Sequence, residues 1–298
     1  VLASEVIDRT LNEYLYPAGV DRPSFDKLSG NIDAATLTIP LTGRLTNVPP
    51  DTVLEIGSEL ILTDSVAGVT VTAKERGYLE SVAATHSTGD IVTVDPRYPR
   101  VAILNALKGI IGMLRPWGLY VRATDVTQAF TSRNVLPLPT GGRRLISIAI
   151  RDQGSNETYS VLNQQGVDWI FYPHFTPPKY HLRKGGSEGA AMTVIFEKDF
   201  TMPATEADDV TTVSGVPDTL APFLSMAVAG QLLAGKEATR VQIEAIRRLL
   251  ASQGVQVGAS MNLSQTLLGM FRTVYVMAER RRLGDLDPPA TFEWIRSR

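Results

Sequence analysis

Chemistry in this chain would have to come from a small set of residues. The histidines are three, His86, His174 and His181, and there is no cysteine. Zero cysteines removes thiol nucleophiles, disulfides and cysteine metal sites together. His174 and His181 sit in Tyr172-Pro-His-Phe-Thr-Pro-Pro-Lys-Tyr-His. With Asp168 or Glu197 as a third ligand they would resemble a zinc set, but nothing in their spacing demands one. Asp208-Asp209 after Glu206 reads as a solvated loop before it reads as a cation site. The run Gly185-Gly-Ser-Glu-Gly189 lacks the Lys-Ser/Thr of a phosphate loop and reads as a hairpin turn. No serine occupies a Gly-x-Ser-x-Gly elbow. The remaining enzymatic reading is a carbohydrate hydrolase on a β-sandwich using Asp168 and Glu197, which requires those carboxyls about 5–9.5 Å apart. The chain is therefore expected to be non-enzymatic and to need no cofactor and no metal.

A second group of residues points to partners instead. Glu279-Arg280-Arg281-Arg282 ends a helical pattern. Cations are favourable at a helix C-terminus, which accounts for one or two of the arginines. The third invites an acidic partner, carboxylate or phosphate, and Arg247-Arg248 repeats the theme. Beyond Pro288-Pro289, the tail carries Phe292, Trp294 and Ile295. Large apolar side chains in a terminal extension usually dock somewhere. Arg280, Arg281, Arg282, Phe292, Trp294 and Ile295 are the expected interface residues.

The elements that must position these groups follow from composition and periodicity. The 298 residues are 44% hydrophobic and 20% charged, with a net charge of -2. That is globular composition, long enough for one large domain or two average ones. No run of about 18 apolar residues offers a membrane span, and Val1-Leu-Ala-Ser-Glu lacks the pattern of a secretory signal. From Pro217 onward there are 10 basic and 7 acidic residues, too mild an asymmetry for a nucleic-acid footprint.

Helical spacing marks an N-terminal helix with Ser4 as N-cap and Ile7, Leu11 and Leu15 on one face. A central helix covers Arg100 to Leu114. Its Gly109 and Gly112 mark either close approach of another backbone or plain tolerance. Further helices start at Leu220, Val241 and Asn262. Period-two alternation marks strands from Ala35 to Val94 and from Leu145 to Phe196. The aromatics Trp169, Phe171, Tyr172 and Phe175 read as sheet core or a subunit contact. The expected fold is α+β: a helical body (N-terminal helix, central helix, C-terminal helices) with two antiparallel β insertions. The body would take residues 1–34, 95–118 and 217–298. Residues 35–94 would form a small β module and residues 119–216 an antiparallel β domain.

Within the β module, the segment from Glu55 to Val94 has a distinctive order: a strand, a turn at Gly68, a second strand, then Arg76-Gly77-Tyr78. After a run of small residues come His86-x-x-Gly89 and a final strand. This pattern resembles a β module recurrent in virion proteins of tailed bacteriophages. It covers about 40 of the 298 residues and departs from the family where Glu80-Ser81 stands in place of the frequent Gly-Thr. Arg76, Gly77, His86 and Gly89 read as a structural turn clasp, not an active site. The glycines would supply the turns, and the Arg and His would hydrogen-bond carbonyls of the crossing loop.

The wider layout resembles the head–tail connector (adaptor) proteins that dock beneath the portal ring. The resemblance implies a homo-oligomeric ring, usually twelve-fold, with a C-terminal arm reaching the portal, here the segment after Arg282. It also implies a downstream connector or tail protein as neighbour, and DNA passing through the channel without sequence recognition. The location would be the virion's head–tail junction, after assembly in the bacterial host cytoplasm. The alternative within the virion is a tail, baseplate or capsid-decoration subunit.

Overall fold

A computed structural model describes residues 1–16, 22–43, 48–79, 81–130, 135–151, 159–162, 168–183, 188–235 and 259–286. The chain divides into two compact units. The first comprises Val1–Ile110, Pro203–Val210 and Ala221–Phe271; the second comprises Ile111–Met202, Thr211–Leu220 and Arg272–Arg298.

The first unit is organised on a six-stranded antiparallel sheet. Its strands are β1 (Phe25–Lys27), β2 (Thr38–Pro40), β3 (Val53–Ile56), β4 (Glu59–Ala67), β5 (Thr70–Arg76) and β6 (Ile91–Val94), in the order β1-β6-β3-β4-β5-β2. Two tight hairpins set its register. Gly57 and Gly68 adopt φ of 59° and 62°, the left-handed conformation that two-residue hairpins need and that glycine adopts without a Cβ penalty. Isolated bridges Leu28↔Leu41 and Ile32↔His86 curl the sheet on itself. Alternate side chains point inward, and Leu28, Ile39, Leu54, Ile56, Ile61 and Val92 are buried together.

The same unit holds α1 (Ala3–Arg9), which runs into a π-helical turn over Thr10–Leu15, and most of α2 (Arg100–Leu114). It also holds α3 (Leu224–Gly235) and α4 (Ala259–Met270). The helix α1 begins after Leu2, not at a Ser4 cap, and the Glu5 carboxylate accepts the Leu2 amide. Gly230 allows α4 to approach α3. A Cβ there would stand 2.9 Å from Leu268, and Ser264 donates to the Gly230 carbonyl at 2.7 Å. At Gly109 it is a side chain, Gln231 of α3, that comes within 2.8 Å of a would-be Cβ.

The second unit has two antiparallel sheets. One has the order β10-β9-β13-β7, from β7 (Val121–Asp125), β9 (Gly142–Arg151), β10 (Tyr159–Leu162) and β13 (Met192–Lys198). The other has the order β11-β12-β8, from β8 (Val135–Pro137), β11 (Trp169–Tyr172) and β12 (Lys179–Leu182). Their shared core buries Leu145, Ile148, Trp169, Tyr180, Val194 and Phe196. Trp169 is thus sheet core, with Phe171 packed against it. The helix α5 (Met277–Leu286) belongs to this unit.

The expectation of a helical body with two β insertions is overturned. The architecture is predominantly β, a six-stranded curled sheet plus two smaller sheets, and the helices are short attachments. They also do not form one body, because α1, α3 and α4 fall in the first unit and α5 in the second. The physical reason is that an amphipathic stripe states that a face is buried, not what buries it. The helices α1, α3 and α4 do pack on one another, but the stripe of α5 lies in the second unit, and the sheets make up most of both units. The β region of the first unit also begins earlier than Ala35, at Phe25, since a three-residue strand is too short to show a period. The helix expected from Val241 lies outside the described residues.

Candidate functional site

The densest polar cluster is inside the curled sheet, at the point where β3, β4 and β5 end. The β3–β4 hairpin places Glu59 at the first position of β4 with no solvent exposure. The β4–β5 hairpin brings Ile61 opposite Arg76, the last residue of β5. Side chains two apart share a sheet face, so Glu59 and Arg76 meet on one face. Arg76 Nε donates to Glu59 Oε1 at 2.5 Å and Nη2 to Oε2 at 2.9 Å, a bidentate pair. The rest of the guanidinium ties the surrounding loops. Nη1 donates to the carbonyls of Asp33 at 2.9 Å and Thr36 at 2.5 Å, and Nη2 to that of Ala84 at 2.9 Å.

Glu59 collects three further donors: the amides of Gly77 at 3.3 Å and Ala84 at 3.1 Å, and His86 Nε2 at 2.7 Å. Burial alone would raise the carboxyl pKa. The hydrogen bonds from Arg76, His86 and Ala84 outweigh it and hold the value down at about 2. His86 thus meets a carboxylate, not a loop carbonyl; its backbone pairs with Ile32 in both directions. Gly77 has φ of 67°, and a Cβ on it would lie 2.9 Å from the Ser81 carbonyl. Gly89, at φ 94°, completes the turn whose Ser87 amide is held by Asp90.

This arrangement closes the loop of residues 77–86 onto the sheet. It offers no catalytic surface, because Glu59 is wholly buried and Arg76 and His86 are nearly so. Glu59 is the residue that sequence reading missed. Counting back from the Gly68 turn would have found it, since that count sets Ile61 against Arg76 and Glu59 two residues further along.

The other sequence candidates fall elsewhere. Arg282 is engaged by its own helix neighbour Glu279, at 2.9 and 2.6 Å, and Glu279 also accepts from Thr219 at 2.7 Å. Arg280 lies over Gly118, whose φ is 91°, and Arg281 is exposed. Phe292, Trp294 and Ile295 lie outside the described residues, as do Arg247 and Arg248. Glu206 pairs with Arg100 at 2.6 Å and Asp209 with the Val1 amino group at 3.0 Å, while Asp208 accepts the amides of Ala204 and Thr205, so each carboxylate of this run has a protein partner. Glu197 is bound to Arg144 at 2.6 Å. His181 lies in β12 opposite Ile170, and His174 packs its ring against Tyr172 and Phe175. Among the described residues, no three His, Asp or Glu side chains converge on a metal-sized site, and no helix is long and apolar enough to cross a membrane.

Glu55 on β3 is a separate buried carboxyl, accepting the backbone amide of Arg100 where α2 begins. Burial pushes its pKa up to about 7, against the opposing pull of the Arg100 amide and charge.

No family model and no curated protein matches the chain. Among solved structures, it is similar to a chain from the virion of a native gene transfer agent particle. That likeness has 14% identity, covers 56% of this chain and 77% of that one, and has a TM-score of 0.22. It is also similar to a chain from the neck of an empty gene transfer agent particle, with 13% identity, 56% and 78% coverage, and a TM-score of 0.22.

Proposed function

We propose that this chain is a non-enzymatic structural subunit of a phage-like virion. The supporting observation is the β module. Arg76, Gly77 and His86, which with Gly89 carry the resemblance to tailed-phage virion proteins, gather around the buried Glu59 carboxylate and fix a loop. Such a cluster serves rigidity. A virion subunit needs rigid, pre-organised surfaces, because ordering a mobile loop on assembly costs binding free energy.

Within the particle, we place it in a connector ring at the head–tail junction, docked on the portal and joined below to a further connector or tail protein. Identical copies would close the ring through a head-to-tail interface, and DNA would pass through it without sequence recognition. The composition of the tail supports this placement, since Phe292, Trp294 and Ile295 follow a Pro-Pro break as a docking arm would. A tail, baseplate or decoration subunit is the second reading. The sheet-dominated architecture favours it, because among the described residues the helices do not form the body expected of a connector.

Native mass spectrometry of the purified chain with portal protein tests the first placement: ring complexes carrying portal are expected. A chain that stays monomeric and binds neither portal nor particles overturns it. Electron microscopy of particles labelled at the C-terminus separates the two readings, with label at the junction for the first and along the tail or shell for the second.

A further inference from the structure

The second unit contains a cleft of about 420 Å³ between the end of α2, β9, β13 and α5. Three arginines line it: Arg115, Arg144 and Arg280. Arg144 pairs with Glu197 at 2.6 Å. Arg115 divides itself between Glu197 at 3.6 Å and Asp199 at 3.0 Å, and Asp199 is shared with Arg143 at 2.7 Å. Among the described residues, the three arginines of the cleft and the neighbouring Arg143 thus meet two carboxylates, Glu197 and Asp199.

Among the described residues Arg280 has no carboxylate partner, and Arg115 Nη1 is buried without a hydrogen-bond acceptor. Arg280 is also seated. Its Nε and Cζ would lie 3.0 and 3.2 Å from a Cβ at residue 118, so a side chain there would push the guanidinium aside, and the φ of 91° at Gly118 itself favours glycine. The remaining wall is apolar and aromatic, with Leu283 and Tyr120.

We infer that this cleft is a docking site for an acidic segment of another polypeptide. One carboxylate would pair with Arg280 and a second would approach the exposed part of Arg115, and the segment's hydrocarbon would lie along Leu283 and Tyr120. Guanidinium forks bind carboxylates bidentately, and the part of Arg115 that is open to solvent can take one. A bare phosphate would answer the charge but leave most of the volume and the apolar wall uncovered. The site stands on the second unit's geometry alone and does not depend on placement in a virion.

The test is fluorescence anisotropy on the full chain with a labelled Ac-Gly-Glu-Leu-Glu-Gly peptide, at low salt. Binding is expected, with Arg280→Ala weakening it by about tenfold or more, as loss of a charge-assisted fork implies. Arg280→Lys should recover only part of the affinity. Gly118→Ala should weaken binding by displacing the guanidinium. Arg281→Ala, on the same helix but not in the cleft lining, should change it less than about twofold. A thermal melt of each variant confirms folding, and Arg280→Lys serves as the binding variant if Gly118→Ala does not fold. No binding, or equal losses in the Arg280 and Arg281 variants, overturns the inference. So does Arg280-dependent binding of inorganic phosphate or of a DNA oligonucleotide when the peptide does not bind.

Discussion

Glu59 and His86 stand 27 residues apart in sequence and meet at 2.7 Å, carboxylate oxygen to Nε2, with Glu59 fully buried. An ionised carboxylate only accepts hydrogen bonds, so Nε2 carries the proton in this contact. The second ring nitrogen is 3.9 Å from Asp90, beyond hydrogen-bond distance. His86 is one donor among several, whereas Arg76 grips Glu59 with two parallel charged hydrogen bonds.

That division of labour predicts a ranking. Glu59→Gln leaves the Arg76 charge buried without its counter-ion, and removing one partner of a buried pair costs about 3–5 kcal/mol. His86→Ala removes one hydrogen bond and leaves a small void, a loss of about 1–3 kcal/mol. Chemical denaturation of the intact chain should show Glu59→Gln as the larger loss. A Glu59→Gln chain as stable as wild type would mean that the cluster does not hold the loop.

The same carboxylate should shape the acid limb of stability. Its folded pKa of about 2 lies below the ordinary value of 4.5. A depressed acid stabilises the fold fully above its unfolded pKa and loses that contribution as pH falls towards the folded one. The span is on the order of 3 kcal/mol. Denaturation at about pH 7 and about pH 3 should show the wild type losing its advantage over Glu59→Gln on acidification. A pH-independent difference between the two would refute the assignment.

Glu55 carries the opposite sign. Its folded pKa of about 7 exceeds the ordinary 4.5, so the folded state binds the proton more tightly than the unfolded chain does. Stability therefore declines as pH rises from 4.5 to 7 and levels off above. Glu55→Gln keeps an oxygen to accept the Arg100 amide and removes the ionisation. It should stabilise the protein by on the order of 3 kcal/mol at about pH 8 and have little effect near pH 4.5. Destabilisation at the higher pH would show that the ionised form has a role the geometry does not reveal.

These groups also mark how far the sequence could be read. Gly57, Gly68 and Gly77 announced their turns, because a left-handed φ has a residue preference, and the β3–β4 and β4–β5 hairpins lie where alternation placed them. Arg76 and His86 were visible as a motif. Glu59 was not, since a charged residue after a turn looks solvated until the strand register is counted. The assembly of elements was the least legible. Strands three residues long, such as β1 and β2, have no measurable period. The helices α1, α3 and α4 do pack on one another, but their stripes do not tell that sheets dominate both units or that α5 belongs to the other one, so segment order alone suggests a helical body that the described residues do not form.

Gly68 and Gly77 offer a controlled comparison of conformation against contact. Both sit at φ near 60°, at 62° and 67°, so an alanine at either pays the left-handed penalty, about 1–2 kcal/mol. A Cβ at residue 68 meets nothing within 4 Å, whereas one at residue 77 meets the Ser81 carbonyl at 2.9 Å and the Ala83 amide at 3.1 Å. Those backbone atoms cannot retreat cheaply, because the Ala84 amide and carbonyl beside them are tied to Glu59 and Arg76. Gly77→Ala should therefore cost about 1–3 kcal/mol more than Gly68→Ala, the usual range for overpacking a fixed site. Gly68→Asn, with a side chain that tolerates the left-handed region, should be milder than Gly68→Ala. Chemical denaturation of the three variants reads the difference directly. Equal losses at the two glycines would mean that the 77–86 loop yields, and that the Glu59–Arg76 pair does not clamp it.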